Sequence, residues 1–236
     1  MLMTRESRSL AQQAFDRIRE AILSLELLPG EPLVEQRLAD ALGISKTPIR
    51  QALLRLEQIG LVAAAPNRGF IVSHLRLQDA REILMVRAAL EGLAAAEACL
   101  RLTPADIDVL SVLLCQSREA YDAGNTESSA ELGHQFHYRI MDAANNQRLS
   151  EMISSLNDQY HRVRLISNAT PDRLDKSLDE HEALFTALAS GNALRSEQLM
   201  RQHLINVYHD LELNANVADD GHLHLSHLLP VTPNAT

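Results

Sequence analysis

Tryptophan is absent from this chain of 236 residues, and aromatic residues make up only 3% of it. A core without aromatics, built on Leu, Ala and Ile, suits packed helices better than a β-sandwich. There are two cysteines, Cys99 and Cys115, which lack metal-motif spacing. That excludes a disulfide scaffold and leaves them as reduced packing residues. The N-terminus, MLMTRESRSLAQQAF, has no apolar segment of the secretory type. No run approaches the ~18 uninterrupted apolar residues of a spanning helix. The expectation is a cytoplasmic, reducing location without membrane contact. No repeat of fixed period is present.

What is present is enough apolar material for a real core, at 46%, and an uneven charge. Net charge is −9. Residues 1–74 hold nine Arg/Lys and eight Asp/Glu, and residues 75–236 hold thirteen and twenty-three. The acid is therefore confined to the later part. The whole-chain balance does not exclude a polyanionic partner for the first part.

Leu10, Ala14, Ile18, Ala21, Ile22 and Leu25 follow a helical period over 9–27, which Pro29-Gly30 ends. A short helix is predicted over 34–42, stopped at Gly43. A third runs from a Ser45 cap to about Gln58, with Pro48 in its first turn, where a missing N–H costs little. Leu61–Ala65 and Phe70–Val72 flank the turn Pro66-Asn67-Arg68-Gly69 and read as a hairpin. Three helices and a hairpin give a winged helix over 1–75. Six helices follow, over about 78–100, 104–123, 127–144, 147–168, 172–190 and 193–214, with Asp79, Thr103 and Asn192 as candidate caps. The fold class is mainly α. It comprises an N-terminal winged helix-turn-helix, an antiparallel helical bundle over 76–214, and a frayed, disordered tail over 215–236.

Within Leu33–Arg50, Gly43 supplies the turn, and Leu38, Leu42, Ile44, Ile49 and Leu53 lock two helices together. Ser45, Lys46, Thr47 and Arg50 are left facing outward at the start of the third helix. That is the end a recognition helix presents to bases and phosphates. Arg50 is suited to fork onto a guanine, and Arg68-Gly69 to reach a neighbouring groove. The run LVEQRLADALGISKTPIRQALLRLEQIGLV…PNRGFIV resembles the GntR winged-helix family over about residues 10–73. The resemblance implies a homodimeric regulator of a short palindromic DNA operator. It carries DNA contacts onto Gln36, Ser45, Lys46, Thr47, Arg50, Arg68 and Gly69. At Lys46 the family more often has Arg, and Lys keeps the charge without the fork. Gln36 stands where some members carry Arg.

His137, His181 and His203 each share an apolar stripe, with Ile140, with Leu184 and Leu188, and with Leu199 and Val207 respectively. Buried imidazoles need partners. Spacing leaves two readings open: a shared divalent metal, or separate carboxylate and carbonyl partners. Glu82…Arg87-Ala88-Ala89-Leu90-Glu91, Phe136-His137…Asn145-Asn146…Leu149, His181-Glu182…Ala187 and His203-Leu204 resemble the helical ligand-binding domain of the FadR branch, the FCD domain, over 79–210. That resemblance implies an ion such as Zn or Ni on three His and usually one Asp. Here Gly133 occupies the position of the Asp, and His134 is a candidate substitute, one turn before His137. Imidazole ligands favour Zn, Ni or Cu over Mg or Ca. The resemblance also points to Arg87 as the contact for a small carboxylate effector, with a salt bridge to Glu91 or Glu82 as the alternative. Arg162 and Arg164 are further candidates. A metal-responsive regulator without an organic effector is an alternative function. A three-His zinc hydrolase is another, but Glu180 and Glu182 are expected to face away from His181, toward solvent, and no enzymatic activity is expected.

Overall fold

The computed structural model describes residues 9–66, 69–170, 172–214 and 221–223. The chain divides into two compact units, Met1–Leu75 and Arg76–Thr236. Among the described residues no helix is long and apolar enough to cross a membrane.

In the first unit, α1 (Leu10–Leu23) starts where the Ser9 side chain accepts from the Gln12 N–H. It ends four residues earlier than its periodicity suggests, because Leu25 turns to a positive φ of 61°. Ala14, Ile18 and Ile22 form its buried stripe. A strand not anticipated from sequence, β1 (Pro32–Leu33), precedes α2 (Glu35–Leu42). Gly43 closes α2 at φ 66°, a left-handed conformation that glycine adopts without steric cost. Next is α3 (Lys46–Gln58). Ser45 occupies its N-cap position, but the Ser45 side chain makes no capping hydrogen bond. β2 (Val62–Ala65) and β3 (Gly69–Val72) pair antiparallel, Val62 opposite Val72 and Ala65 opposite Gly69, and β1 adds to the far side of β3 in the order β1-β3-β2. Ile49, Ala52, Leu53 and Leu56 of α3 pack with the α1 stripe, Leu61 and Val72 into one core. The face of α3 that carries these residues is thus committed inward.

The second unit is helical: α4 (Leu77–Cys99), α5 (Pro104–Asp122), α6 (Thr126–Ala143), α7 (Gln147–Ser155), α8 (Asn157–Asn168), α9 (Arg173–Ala189) and α10 (Ala193–Asn214). Thr103 caps α5 in a reciprocal box with Asp106, and Asn192 Oδ1 accepts from the Arg195 N–H. Asp79 is not the cap of α4. It lies in the first turn and accepts from the Arg76 N–H (3.0 Å) and guanidinium. The single helix expected over 147–168 is two, divided at Leu156 (φ −101°, ψ −6°). No Pro or Gly marks this break. It puts Asn157 within hydrogen-bond reach of Arg87, seventy residues away in sequence.

α4 lies along α10 with small residues at the seam. A Cβ on Gly92 would stand 2.6 Å from Arg201 Cγ, so a larger residue there would have to displace the Arg201 side chain. Ala94, Ala95, Ala98, Phe136, Ile140, Leu184, Leu188 and Met200 fill the core. The tail expectation needs correction at 221–223. His222 bridges to Arg76, the Leu77 N–H donates to the Gly221 carbonyl (3.2 Å), and Leu223 is buried. The bridge, one backbone hydrogen bond and a buried apolar side chain hold those residues. The rest of 215–236 lies outside the described residues.

Leu53→Ala removes a fully buried side chain from the first unit. It is expected to lower that unit's stability by about 2–5 kcal/mol, read as a lower urea midpoint. An unchanged midpoint would contradict the packing described.

Candidate functional site

At the start of α3, Ser45, Lys46, Thr47 and Arg50 are all exposed, while Ile49 between them is fully buried. The alternation follows from the helical period: the apolar positions lock the helix, and the polar ones are left in solvent. Arg50 is 70% exposed, and its nearest acid, Glu35, is 4.0 Å away. Gln36 is exposed on α2, its amide donating to Asp40 Oδ1 (2.7 Å). Gly69 is exposed at the start of β3 with φ 73°. Arg68, also expected to contact DNA, lies outside the described residues. Free α3 N–H groups, hydroxyls and two cations make this end of the unit suited to phosphate oxygens.

In the second unit, α6, α9 and α10 bring His137, His181 and His203 together, all buried, with ligand atoms within 4.8 Å of one another. Two of the three rings are held by carboxylates. His137 Nδ1 is 3.0 Å from Glu91 Oε2, and His203 Nδ1 is 2.7 Å from Glu180 Oε2. His137 Nε2 lies 2.9 Å from His181 Nε2. Burial pushes the Glu91 carboxyl upward, but the Arg87 charge and the His137 hydrogen bond outweigh it and hold the group down at about 2. Glu180 is lowered in the same way, burial opposing it while His203 and Arg173 prevail. Both carboxylates are therefore ionised and only accept. Each ring donates from Nδ1, which turns its Nε2 inward. Burial, then the neighbouring imidazoles, pushes His181 well down. Burial also lowers His203, against the Glu180 hydrogen bond. Imidazole nitrogens turned toward one another are the ligands a divalent ion of the Zn or Ni class takes. The donor set fits such an ion, and His181 Nδ1, buried without a partner, leaves that ring uncommitted on its outer side.

The remaining sequence-predicted residues fall into different places. His134 lines the cavity beside the cluster but is not part of it. Burial and the charge of Arg164 push it down to about 4. Arg87 is not on the cavity wall. Its Nε donates to Glu91 Oε1 (2.6 Å), its Nη1 to Asn157 (2.8 Å), and the guanidinium lies 3.9 Å from the Tyr160 ring centroid. The Glu91 salt bridge, the alternative weighed for Arg87, is the arrangement found. Arg162 is buried and lowered to about 10 by that burial, but it too is off the wall. Arg164 does line the cavity, and its Nη1 is buried without a hydrogen-bond partner. Its Nη2 is 3.6 Å from Glu131.

Sequence reasoning missed Glu180 as a site residue. It was expected to face solvent, and only Glu182, 60% exposed beside Arg118, does so. Glu180 turns inward to His203, Asn206 and Arg173. The sequence does hold a signal for it. Arg173 and Glu180 are seven residues apart, which places them two turns apart on one face of α9.

Glu91→Ala would strand the fully buried Arg87 guanidinium. The expected loss is about 3–5 kcal/mol of stability, measured by urea unfolding. A cost near that of a surface substitution would show that Arg87 finds other compensation.

A model of the gntR family of bacterial regulatory proteins matches residues 10–72, and the FCD domain model matches 82–206. The HTH-type transcriptional regulator YdhC of Bacillus subtilis (strain 168) is 29% identical over 214 residues, 89% of this chain and 92% of that protein. The HTH-type transcriptional repressor RspR of Escherichia coli (strain K12) is 28% identical over 82% of this chain and 85% of its own. The solved structure of E. coli McbR/YncC aligns with TM-score 0.65 and 27% identity, over 86% of this chain and 98% of that one. The chain belongs to the gntR family of bacterial regulatory proteins and is a transcriptional regulator that joins a helix-turn-helix unit to an FCD domain.

Proposed function

We propose that this regulator acts as a homodimer on a palindromic operator, and that a small carboxylate metabolite bound beside a divalent ion controls its operator affinity. One observation carries the reading. Three converging imidazoles, two of them oriented by ionised carboxylates, adjoin a cavity whose wall holds an arginine nitrogen without a partner. His137, His181 and His203 would hold the ion, Zn or Ni, which when bound supplies a Lewis-acidic anchor for an oxygen ligand.

Arg164 takes the effector role first given to Arg87. Its guanidinium offers a buried donor to an acid oxygen, whereas Arg87 is already satisfied by Glu91 and Asn157. Ser117, Ser167 and Ser177 on the same wall suit a hydroxylated acid. The cavity draws its lining from α5, α6, α8, α9 and α10, so a ligand that satisfies these groups favours one packing of the helices. That preference passes along the covalent link at residues 72–77 to the DNA-binding units. It changes operator affinity only to the extent that the ligand binds the two states unequally. Nothing in this reading calls for turnover. Zinc-dependent hydrolysis of an ester or amide by the purified protein would favour the hydrolase alternative.

Arg50→Ala is expected to cost about 1–3 kcal/mol of operator binding and to flatten base preference at one position, whereas Lys46→Ala weakens binding evenly across sequences and lowers the salt slope by about 1. Quantitative gel shifts at several salt concentrations separate the two. In the same assay, a panel of hydroxy acids, sugar acids and dicarboxylates should shift operator affinity in the parent, and Arg164→Met should abolish the shift. A panel without effect on the zinc-loaded parent removes the sensory role.

A further inference from the structure

We infer that Gln51 and Leu54, one and two turns along α3 from Thr47, read A·T base pairs: the Gln51 amide an adenine, and the Leu54 side chain the methyl group of a neighbouring thymine. The inference rests on reading α3 as the helix that enters the major groove, and it extends that reading past Lys46 and Arg50.

The core side of α3 is fixed by Ile49, Ala52, Leu53 and Leu56, all buried. At 3.6 residues per turn, Thr47, Gln51 and Leu54 fall within about 60° of one another on the opposite side. All three are exposed, Leu54 at 45%. Lys46 and Arg50 border this stripe on one side and Arg55 on the other, and all three cations are exposed. The one acid of α3, Glu57, lies off the stripe. An uncharged strip between two cationic margins complements a groove whose floor is uncharged base edges and whose walls are phosphates.

The Gln51 amide is also uncommitted. Other glutamines on exposed helix faces are taken up by an acid four residues on, Gln36 by Asp40 and Gln78 by Glu82. Gln51 has Arg55 at that position, and Arg55 turns to α1, donating to Gln12 Oε1 (2.9 Å) with its guanidinium 4.3 Å from the Phe15 ring centroid. Among the described residues the Gln51 side chain makes no hydrogen bond. It presents one acceptor and two donors to solvent, the set that matches N6 and N7 of adenine. Leu54 offers only apolar surface, for which thymine C5-methyl is the matching group on the groove floor. Three residues advance ~4.5 Å along a helix, close to one base-pair step of ~3.4 Å, so the two side chains are spaced for adjoining pairs.

The test presents the full-length protein with randomised duplexes and compares the sequences it selects. The parent is expected to select an A·T pair beside the position that Arg50→Ala flattens. Gln51→Ala should flatten that A·T position and leave the others. In the selected duplex, 7-deazaadenine removes N7 and deoxyuridine removes the methyl group. The first is expected to weaken the parent about tenfold and Gln51→Ala no further. The second should weaken the parent about threefold and Leu54→Ala no further. If 7-deazaadenine costs parent and Gln51→Ala alike, or deoxyuridine costs parent and Leu54→Ala alike, that residue does not read its base, while a position lost in Arg50→Ala keeps α3 in the groove. If no position responds to Arg50→Ala or to Gln51→Ala, α3 does not enter the groove and both readings fall.

Discussion

The second unit turns on a shared carboxylate, used twice. Glu91 lies between Arg87 and His137, and Glu180 between Arg173 and His203. A buried carboxylate without compensation would take up a proton and become neutral. For Glu91 the Arg87 guanidinium is the chief influence that keeps it ionised, and for Glu180 it is His203 and then Arg173, and each carboxylate in turn fixes its ring. Each arginine therefore acts on the histidine cluster from behind, through a carboxylate, without facing it. The energetic case is balanced. Ion pairs this deep gain little over apolar packing, but losing one partner leaves a stranded charge. Such pairs are weak evidence for stability.

The fold exists in a form that can hold these groups because its helices approach closely. Gly92 and the alanines of α4 let α10 lie against it. That places Glu91 at the seam, within reach of His137 on α6. The break at Leu156 turns Asn157 toward Arg87 and sets Tyr160 over the guanidinium. Glu180 and His203 are joined across the α9–α10 pair, with Asp210 of α10 taking a second Arg173 nitrogen at 2.7 Å. One element of each pair is local and the other is distant, so the site forms only when the bundle does.

This division explains what could be read from the residues alone. Helical periodicity reports which face is inward, and it placed Ile49 in the core and Arg50 outside, and the three histidines on buried stripes. Glycine at the α2–α3 turn and the Thr103-Pro104 start of α5 are local signals with local causes, and both hold. Periodicity does not report which distant group meets a buried polar atom. The Glu91 salt bridge was one of two readings open for Arg87, but the Asn157 contact that completes it depends on the unmarked break at Leu156. Glu180 was set aside because it neighbours His181 in sequence, whereas its partner is His203 on the next helix. The strand at Pro32–Leu33 was invisible for a related reason: two residues have no period, and only β3 makes them a strand.

The same reasoning singles out what is asymmetric in the cluster. Three imidazoles converge, yet only two have a carboxylate behind them. Were all three so held, the center would be a closed structural site, its outer nitrogens satisfied and its interior insensitive to anything but a cation. His181 instead packs against Gly133, which brings no polar group to its outer nitrogen. Arg164 brings an unpartnered nitrogen to that cavity. Two buried polar atoms left unsatisfied on one wall, in a unit that satisfies its other buried charges through paired networks, mark the place where the protein itself does not complete the structure. A regulator needs such a place, because only a group missing from the folded chain can be supplied from outside and thereby shift the balance between its states.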